Sequence, residues 1–233
     1  MQITLDWLKE KGACSDDVEW FTRHFPEGGE YQAVLDALAH ENLASWGLWL
    51  LKAAGPVNAV LKINGDYEAK FGLYFAGRVE ISGAIKVAGY FLAGLGIEAG
   101  EGIEAGWGIK AGLGIEAGEG IEAGWGIEAG WGIKAGEGIK AGWGIEAGWG
   151  IVSLYSYIKA KLKIEIDARC KIVAGCFSFY GAQDVEAQEI VGDVIYGVKK
   201  LLPKEEVSKS VIGSEVEVKM NGKVYKEKIT SEE

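Results

Sequence analysis

The sequence predicts a mainly β protein, a three-sided parallel β-solenoid that lies between an α-helical N-terminal domain and a small α/β C-terminal cap. From Leu61 onward the chain divides into hexads with apolar first and third positions and a second position that is usually charged. This alternation is typical of strands with one buried face. Within residues 97–150 the hexads share the form I-(E/K)-A-G-x-G, and the residue at x repeats every 18 positions. Three hexads per coil, one on each side, account for that period.

The 18-residue period places the fifth-position residues in three columns along the solenoid. The candidate binding residues, which are tryptophans and glutamates, lie in these columns. We expect them at or near the corners of the solenoid, because the glycine on either side of each of them allows the chain to bend. A buried column of three carboxylates would also be very costly. Strict alternation would instead direct the fifth position inward, so the tryptophans could face either way. The columns are Glu101, Glu119 and Glu137; Trp107, Trp125 and Trp143; and Leu113, Trp131 and Trp149.

The charged second positions support the same register. Coils of a solenoid stack about 4.8 Å apart, so residues 18 apart are neighbours, and opposite charges there are favourable. A run of like charges at Glu80, Glu98 and Glu116 breaks the pattern. Five opposite-charge pairs are expected: Lys62 with Glu80, Lys86 with Glu104, Lys110 with Glu128, Glu116 with Lys134, and Glu122 with Lys140.

The first domain, residues 1–56, is predicted to contain four helices. Thr4 and Ser15 are candidate N-caps for the first two, Pro26 ends the second, and Gly55 followed by Pro56 ends the fourth. The third and fourth helices carry an apolar face that must pack against another part of the protein. It comprises Val34, Leu35, Leu38, Leu43, Trp46, Leu48 and Leu51.

The solenoid is predicted over residues 57–181 and the cap over residues 182–233. After a one-residue slip near Tyr157 the hexads resume as IKAKLK, IEIDAR, CKIVAG and CFSFYG, which makes about seven coils in all. A helix is then expected from the helical spacing of Ala187, Val191, Val194, Ile195, Val198 and Leu202. A hairpin with its turn at Asn221-Gly222 completes a cap for the open end of the solenoid.

Composition and charge exclude several classes of protein. The chain has a net charge of −10 and no basic cluster, so we expect no nucleic-acid partner. It shows no leader-like segment and no apolar run long enough to span a bilayer, so a soluble cytoplasmic protein without a membrane partner is expected. The three cysteines, Cys14, Cys170 and Cys176, have neither a disulfide framework nor metal-ligand spacing. A disulfide between Cys170 and Cys176 is not expected, because they begin adjacent hexads, and we expect no metal and no cofactor.

The sequence contains no recognisable catalytic constellation. Its two histidines, His24 and His40, both lie in the helical domain. The hexads resemble those of hexapeptide-repeat acyltransferases in period and coil shape, a resemblance that would imply a solenoid histidine acting as general base. No histidine occurs between residues 55 and 181. The order within the hexad also differs: in the acyltransferases a small residue stands two positions before the aliphatic residue, whereas here alanine stands two positions after it. We therefore expect no catalytic residue and no enzymatic activity.

Two further resemblances bear on function. The repeats over about half of the chain are similar to those of bactofilins, three-sided solenoids that polymerise end to end without a nucleotide. Here, however, a non-repetitive block at each end would obstruct such stacking. The segment LKEKGACSDDVEWF, residues 8–21, resembles a segment of uncharacterised bacterial and phage proteins.

These observations predict a non-enzymatic protein that binds a protein partner, such as a phage or bacterial factor that binds and blocks a host complex. The candidate binding residues are Trp107, Trp125, Trp143, Trp131, Trp149, Glu101, Glu119 and Glu137. The alternative for the tryptophans is a stacking ladder that only stabilises the coils. The alternatives for the glutamates are a solvated edge or a site for a cation. A self-assembling structural protein is the second functional hypothesis.

Overall fold

The computed structural model describes residues 1–167 and 171–203, together with the backbone of two strands at 215–220 and 223–228. Residues Met1–Leu202 form one compact unit and Pro203–Glu233 a second. In the described part of the chain no helix is both long and apolar enough to cross a membrane.

The N-terminal domain contains the four expected helices, α1 (Leu5–Glu10), α2 (Ser15–His24), α3 (Tyr31–His40) and α4 (Ala44–Ala54). Two short antiparallel strands, β1 (Gln2–Ile3) and β2 (Gly29–Glu30), join its start to the loop before α3. Thr4 caps α1 as predicted, since its side chain accepts a hydrogen bond from the backbone N–H of Trp7. The prediction of Ser15 as the second cap is wrong. Cys14 is the cap residue of α2, and the Ser15 hydroxyl hydrogen-bonds instead to Asp16.

The solenoid has three parallel sheets, and each strand pairs with the strands three places before and after it in the chain. The first sheet comprises β3 (Val60–Ile63), β6 (Arg78–Ile81), β9 (Ile97–Ala99), β12 (Ile115–Ala117), β15 (Ile133–Ala135), β18 (Ile151–Ser153), β21 (Lys171–Ala174) and β24 (Asp193–Tyr196). The second comprises β4 (Tyr67–Ala69), β7 (Ile85–Val87), β10 (Ile103–Ala105), β13 (Ile121–Ala123), β16 (Ile139–Ala141), β19 (Ile158–Ala160), β22 (Asp184–Ala187) and β25 (Val198–Leu201). The third comprises β5 (Leu73–Phe75), β8 (Phe91–Ala93), β11 (Ile109–Ala111), β14 (Ile127–Ala129), β17 (Gly144–Ala147), β20 (Lys163–Ile166) and β23 (Glu189–Val191).

The three-sided parallel β-solenoid with 18-residue spacing is therefore confirmed. Ile121 pairs with Ile103 and Ile139, for example, each 18 residues away. The isoleucine and alanine of each uniform hexad point inward and are buried along the whole array, so one Ile and one Ala per side fill the interior. The array makes about eight turns, one more than predicted, because strands continue to Leu201.

All five predicted ion pairs between neighbouring coils are present. Their N···O distances run from 2.5 Å for Lys134–Glu116 to 3.6 Å for Lys62–Glu80. The hydrogen bond from Lys140 to Glu122 raises the pKa of the lysine ammonium. The predicted like-charged run is present too, since Glu98 stands in register between Glu80 and Glu116. The lysines thus balance charge along the outer faces.

The predicted C-terminal helix is wrong. Residues 184–201 form β22 to β25 and complete the solenoid, so the boundary expected after residue 181 is also wrong. Val185, Ala187 and Ile190 are buried, and Val194 packs against the same core. The spacings between these inward residues are two, three and four, because shortened corners intervene, and such spacings imitate the period of a helix.

The hexads predicted after Gly150 are partly wrong. Tyr157 is an extra residue, as expected, so that Ile158 pairs with Ile139. The next shift was not expected: Ile172, not Cys170, takes the first position of its hexad and pairs with Ile151. The segment CFSFYG is not a strand; it is a loop whose aromatic rings project outward, so it adds no hexad to the array.

The C-terminal hairpin is present as the antiparallel pair β26 (Glu215–Met220) and β27 (Lys223–Lys228). Its predicted turn residues, Asn221 and Gly222, lie outside the described residues. Cys170, one of the two cysteines between which no disulfide was expected, also lies outside the described residues. Cys14 and Cys176 are free and exposed.

The helical domain packs on the outer face of the third sheet. At the second hexad position, where other strands carry charge, this face presents Tyr74 and Leu92, both completely buried in one cluster with α3 and α4. The Gln32 side chain donates to the carbonyl oxygen of Tyr74 at 2.7 Å and accepts from the N–H of Ala76 at 3.1 Å. The apolar face predicted on α3 and α4 is thus covered by the first two coils of the third sheet.

Tyr74→Phe should leave the protein equally stable or stabilise it by about 1 kcal/mol, because an unpaired buried hydroxyl costs free energy. The Tyr74 hydroxyl is buried without a hydrogen-bond partner in the described part of the chain, and burial raises its pKa. Tyr31→Phe is the control, since the Tyr31 hydroxyl donates to the Gly55 carbonyl at 3.0 Å and its loss should destabilise. Urea unfolding of both variants tests this, and a clear loss of stability in Tyr74→Phe would contradict it.

Candidate functional site

The three fifth-position columns lie at the corners of the solenoid and face outward. We call Trp107, Trp125 and Trp143, between the second and third sheets, the long Trp column. Leu113, Trp131 and Trp149, between the third and first sheets, form the short Trp column. Glu101, Glu119 and Glu137, between the first and second sheets, form the Glu column. The five tryptophan side chains are 41–62% exposed, so the inward orientation is excluded.

Each Trp column is a continuous aromatic stack. Centroids of Trp107 and Trp125 are 5.6 Å apart and those of Trp125 and Trp143 5.3 Å apart, with the rings within 8° of parallel. Trp131 and Trp149 stack at 5.4 Å in the same way. Parallel rings at these distances are offset-stacked, and each contact contributes about 0.5–1.5 kcal/mol. The tryptophans therefore form a stacking ladder between coils, and this ladder also makes the exposed columns rigid.

The Glu column is exposed and forms no ion pair with another side chain of the described residues. No group of three or more His, Cys, Asp or Glu residues in that part of the chain could hold a metal ion.

Two glycines of each uniform hexad have different surroundings. A Cβ on the fourth-position Gly124 would clash with the carbonyl oxygen of Gly106 in the preceding coil. A Cβ on the sixth-position Gly126 would lie 3.5 Å from the carbonyl oxygen of Gly144, an ordinary van der Waals distance. The corners of the uniform hexads thus leave no room for a side chain at the fourth position, although earlier coils hold Ala76, Ser82 and Ala88 there, and they have room for one at the sixth.

The sixth-position glycines form the floor of a groove on the third sheet, of about 310 Å³, which we call the third-sheet groove. Trp125 and Trp143 stand along one side, above Gly126 and Gly144. The remaining lining includes the charged second positions Lys110, Glu128, Glu146, Lys163 and Glu165, while Leu48 of α4, Leu92 and Tyr90 line its N-terminal end. The groove therefore begins where the docked helical domain stops.

Tyr90 shows how the groove can be filled. It stands at a sixth position, and its ring lies on Gly108, since a Cβ there would be 2.8 Å from Tyr90 Cε1. The ring is edge-on to Trp107 at 5.5 Å and to Trp125 at 5.9 Å between centroids. Partial burial raises the pKa of its hydroxyl.

Both histidines lie on helices of the N-terminal domain, His24 in contact with that domain and His40 in contact with the solenoid. His24 Nε2 lies 3.1 Å from a carboxylate oxygen of Glu41, its Nδ1 lies 2.9 Å from the carbonyl oxygen of Trp20, and its ring stacks on that tryptophan. His40 packs against Phe71 with centroids 3.9 Å apart. Neither histidine lines the third-sheet groove.

Sequence reasoning found the columns but missed the groove and its Tyr90 end. The signal was a departure from the repeat, an aromatic residue at a position that is glycine in every uniform hexad. It also missed an exposed aromatic cluster at the corner between the first and second sheets. There Phe177 lies 6.1 Å from Tyr155 between ring centroids, and Phe179 and Tyr180 are almost fully exposed.

Comparison with known proteins identifies one segment. Residues 1–54 match the family described as the YdhT N-terminal domain, a match that ends before the first strand of the solenoid. No curated protein and no solved structure matches the chain. The resemblance to hexapeptide-repeat proteins and bactofilins therefore rests on period and coil shape alone.

Proposed function

We propose that this combination of a YdhT-type N-terminal domain and a β-solenoid is a non-enzymatic scaffold that binds a protein partner through the third-sheet groove. The observation that carries the proposal is the long Trp column, exposed and rigid beside an open groove. Exposed clusters of tryptophan mark interaction surfaces, and tryptophan is among the residues that contribute most to interfaces.

The rigidity of the column supports this use. A side chain that is already held by its neighbours loses little conformational entropy when a partner binds. Trp125 is held on both sides by Trp107 and Trp143, and Tyr90 contacts its edge. The column is thus pre-organised for binding in a way that isolated surface tryptophans are not.

The non-enzymatic part of the proposal is supported by the lining of the groove. Its ionisable residues other than Tyr90 are lysines and glutamates, and Lys110 and Lys163 are each held in an ion pair with a glutamate, an arrangement that balances charge along the wall. A role as a phage or bacterial factor that blocks a host complex is the more specific form of the proposal. It is supported by the resemblance of residues 8–21 to a segment of uncharacterised bacterial and phage proteins.

Trp143→Ala and Trp149→Ala provide a matched test of the binding proposal. Both residues are exposed, belong to neighbouring hexads and stack on one tryptophan of the preceding coil. With a partner captured from the source organism and purified, Trp143→Ala should weaken binding about tenfold or more, and Trp149→Ala much less. Unchanged affinity in Trp143→Ala would contradict the proposal.

Self-assembly is the second candidate, favoured by the exposed loop that carries Phe177, Phe179 and Tyr180. This loop follows β21 of the first sheet and precedes β22 of the second, so it projects from the corner opposite the third sheet. A contact between one copy's loop and another's groove would therefore not close into a dimer and would continue into a ring or a filament. Light scattering over a concentration series tests this: assemblies larger than one chain support self-assembly, and a particle that keeps the mass of one chain at every concentration contradicts it.

A further inference from the structure

We propose that the third-sheet groove binds an aromatic side chain of the partner that is accompanied by a basic group. This inference rests on the proposed function, because it states the chemistry of the partner at the same site. It is carried by four observations: the room above the sixth-position glycines, the two tyrosines of the chain that occupy such grooves, the charge of the walls and the continuity of the third sheet as a docking face.

The backbone does not require glycine at the sixth position, where the floor of the groove is open. In earlier coils the sixth position holds Arg78, Ala84 and Tyr90. The Tyr90 carbonyl accepts the same ladder hydrogen bond, from Leu73 N–H at 2.9 Å, that the Gly126 carbonyl accepts from Ile109. Side chains are thus compatible with this position, and glycine at 126 and 144 leaves space that an external group can occupy.

Tyr90 identifies an aromatic ring as a group that fits. Its ring rests on one sixth-position glycine and lies nearly perpendicular to the rings of two column tryptophans, the T-shaped arrangement that aromatic pairs favour. One coil further along the same floor, Gly126 lies beside Trp125 and Trp143 in the way that Gly108 lies beside Trp107 and Trp125. A second ring can therefore lie on Gly126 with the same neighbours.

Tyr157 repeats the arrangement on the second sheet and shows how a basic group accompanies the ring. A Cβ on Gly138 would lie 2.9 Å from the Tyr157 ring, so this ring also rests on a sixth-position glycine. The ammonium of Lys159 lies 5.1 Å from the ring centroid and 3.3 Å from the Glu186 carboxylate. The lysine thus bridges an aromatic ring and an acidic wall residue.

The wall of the third-sheet groove carries carboxylates that could pair with a basic group in the same way. Three carboxylates, of Glu128, Glu146 and Glu165, face two ammonium groups, of Lys110 and Lys163. Lys110 pairs with Glu128 at 2.6 Å and Lys163 with Glu165 at 2.6 Å, which leaves a net negative charge at Glu146 beside Trp143. A cation on the bound group would neutralise it and contact the indole face.

The third sheet is better suited to this ligand than the second sheet. Its first coils already bind apolar residues of α4, and the groove continues from that contact past Leu48. The second-sheet groove is lined by Glu119 and Glu137 and is occupied by Tyr157 at one end.

Tyramine is a suitable probe, because it combines a phenol ring with an ammonium group. In titrations of the full-length protein followed by NMR, it should shift the indole N–H signals of Trp125 and Trp143 and leave Trp131 and Trp149 unmoved. 2-Cyclohexylethylamine lacks the aromatic ring and N-acetyltyrosine replaces the cation by an anion, so each should bind at least about fivefold more weakly. Equal binding of either control, equal shifts in both Trp columns, or no shift would overturn the inference.

Gly126→Tyr should abolish the tyramine shifts by filling the groove as Tyr90 does, and Gly120→Tyr on the second sheet is the matched control. A Cβ at 126 lies 3.5 Å from the facing carbonyl oxygen, an ordinary contact, whereas a Cβ at 120 lies 3.3 Å from it and requires a shift of a few tenths of an ångström, so the unfolding midpoint of both variants is measured first. Retained tyramine binding in Gly126→Tyr would place the site elsewhere and overturn the inference.

Partner binding, tyramine binding and self-association together distinguish this inference from the proposed function and from occupation of the groove by a second copy of the chain. Partner binding that depends on Trp143 without tyramine binding leaves the proposed function standing and overturns the aromatic inference. Tyramine binding with partner affinity independent of Trp143 supports the inference and contradicts the proposed function. Self-association that is lost both in Phe179→Ser and in Gly126→Tyr would assign the groove to a second copy, and overturn the inference.

Discussion

Gly124→Ala is expected to destabilise the solenoid by about 2–4 kcal/mol, whereas Gly126→Ala, two residues further on, should change stability by less than about 1 kcal/mol. The Cβ of an alanine at 124 would collide with the backbone carbonyl of Gly106, and only a shift of the coil could relieve the contact. Such a shift would weaken the hydrogen bonds that Gly124 and Trp125 donate to Ala105 and Trp107. At 126 the Cβ has ordinary contact distance and points into the groove.

Urea unfolding of the two variants beside the unchanged protein measures the difference. The pair is well controlled, since the same substitution is made twice within one hexad and on one corner. Equal losses would mean that the two glycines have the same role, which would contradict the distinction between a corner glycine and a groove glycine.

Leu92→Lys is expected to destabilise the helical domain by about 3 kcal/mol or more, because it buries a charge without a partner. The side chain of Leu92 is completely buried, and a Cβ on Gly47 of α4 would lie 3.3 Å from its Cδ1. The hexad itself accepts lysine at this position, as Lys110 shows in the next coil. The damage should therefore fall on the contact between α4 and the third sheet.

Hydrogen exchange distinguishes this outcome from general unfolding. In Leu92→Lys the amides of α3 and α4 should lose protection while those of the central coils keep it. Val152→Lys, at the same hexad position on the first sheet, is the control and should cost less than about 1 kcal/mol. Retained protection of both helices in Leu92→Lys would show that the contact with the third sheet does not hold them.

The solenoid and its columns could be predicted because the repeat leaves a single register. An 18-residue period in one variable letter determines the number of sides, and the charged second positions then select their neighbours. Lys134 beside Glu116 and Lys140 beside Glu122 follow from that spacing alone. The outward direction of the tryptophans did not follow, because alternation and the cost of burying the Glu column pointed in opposite directions.

Prediction failed where the chain departs from the hexad. Around Gly192 and Gly197, both with positive φ, shortened corners change the spacing of the buried residues, and a helix was inferred where β22 to β25 form. Tyr74 and Leu92 did carry a usable signal. They are apolar residues at the second hexad position, which is usually charged, and two of them in neighbouring coils indicate that this face of the sheet is covered. The groove could not be predicted, because the backbone conformation of the corner decides whether the Trp125 side chain lies beside the second sheet or beside the third.

The affinity of the purified partner for Gly126→Tyr and Gly120→Tyr tests the central claim most directly, since each change fills one groove and leaves every tryptophan in place. With the unfolding midpoint of each variant unchanged, Gly126→Tyr should raise the Kd about tenfold or more, and Gly120→Tyr should leave it within about twofold. An unchanged Kd in Gly126→Tyr, or an equal rise in both variants, would contradict binding through the third-sheet groove.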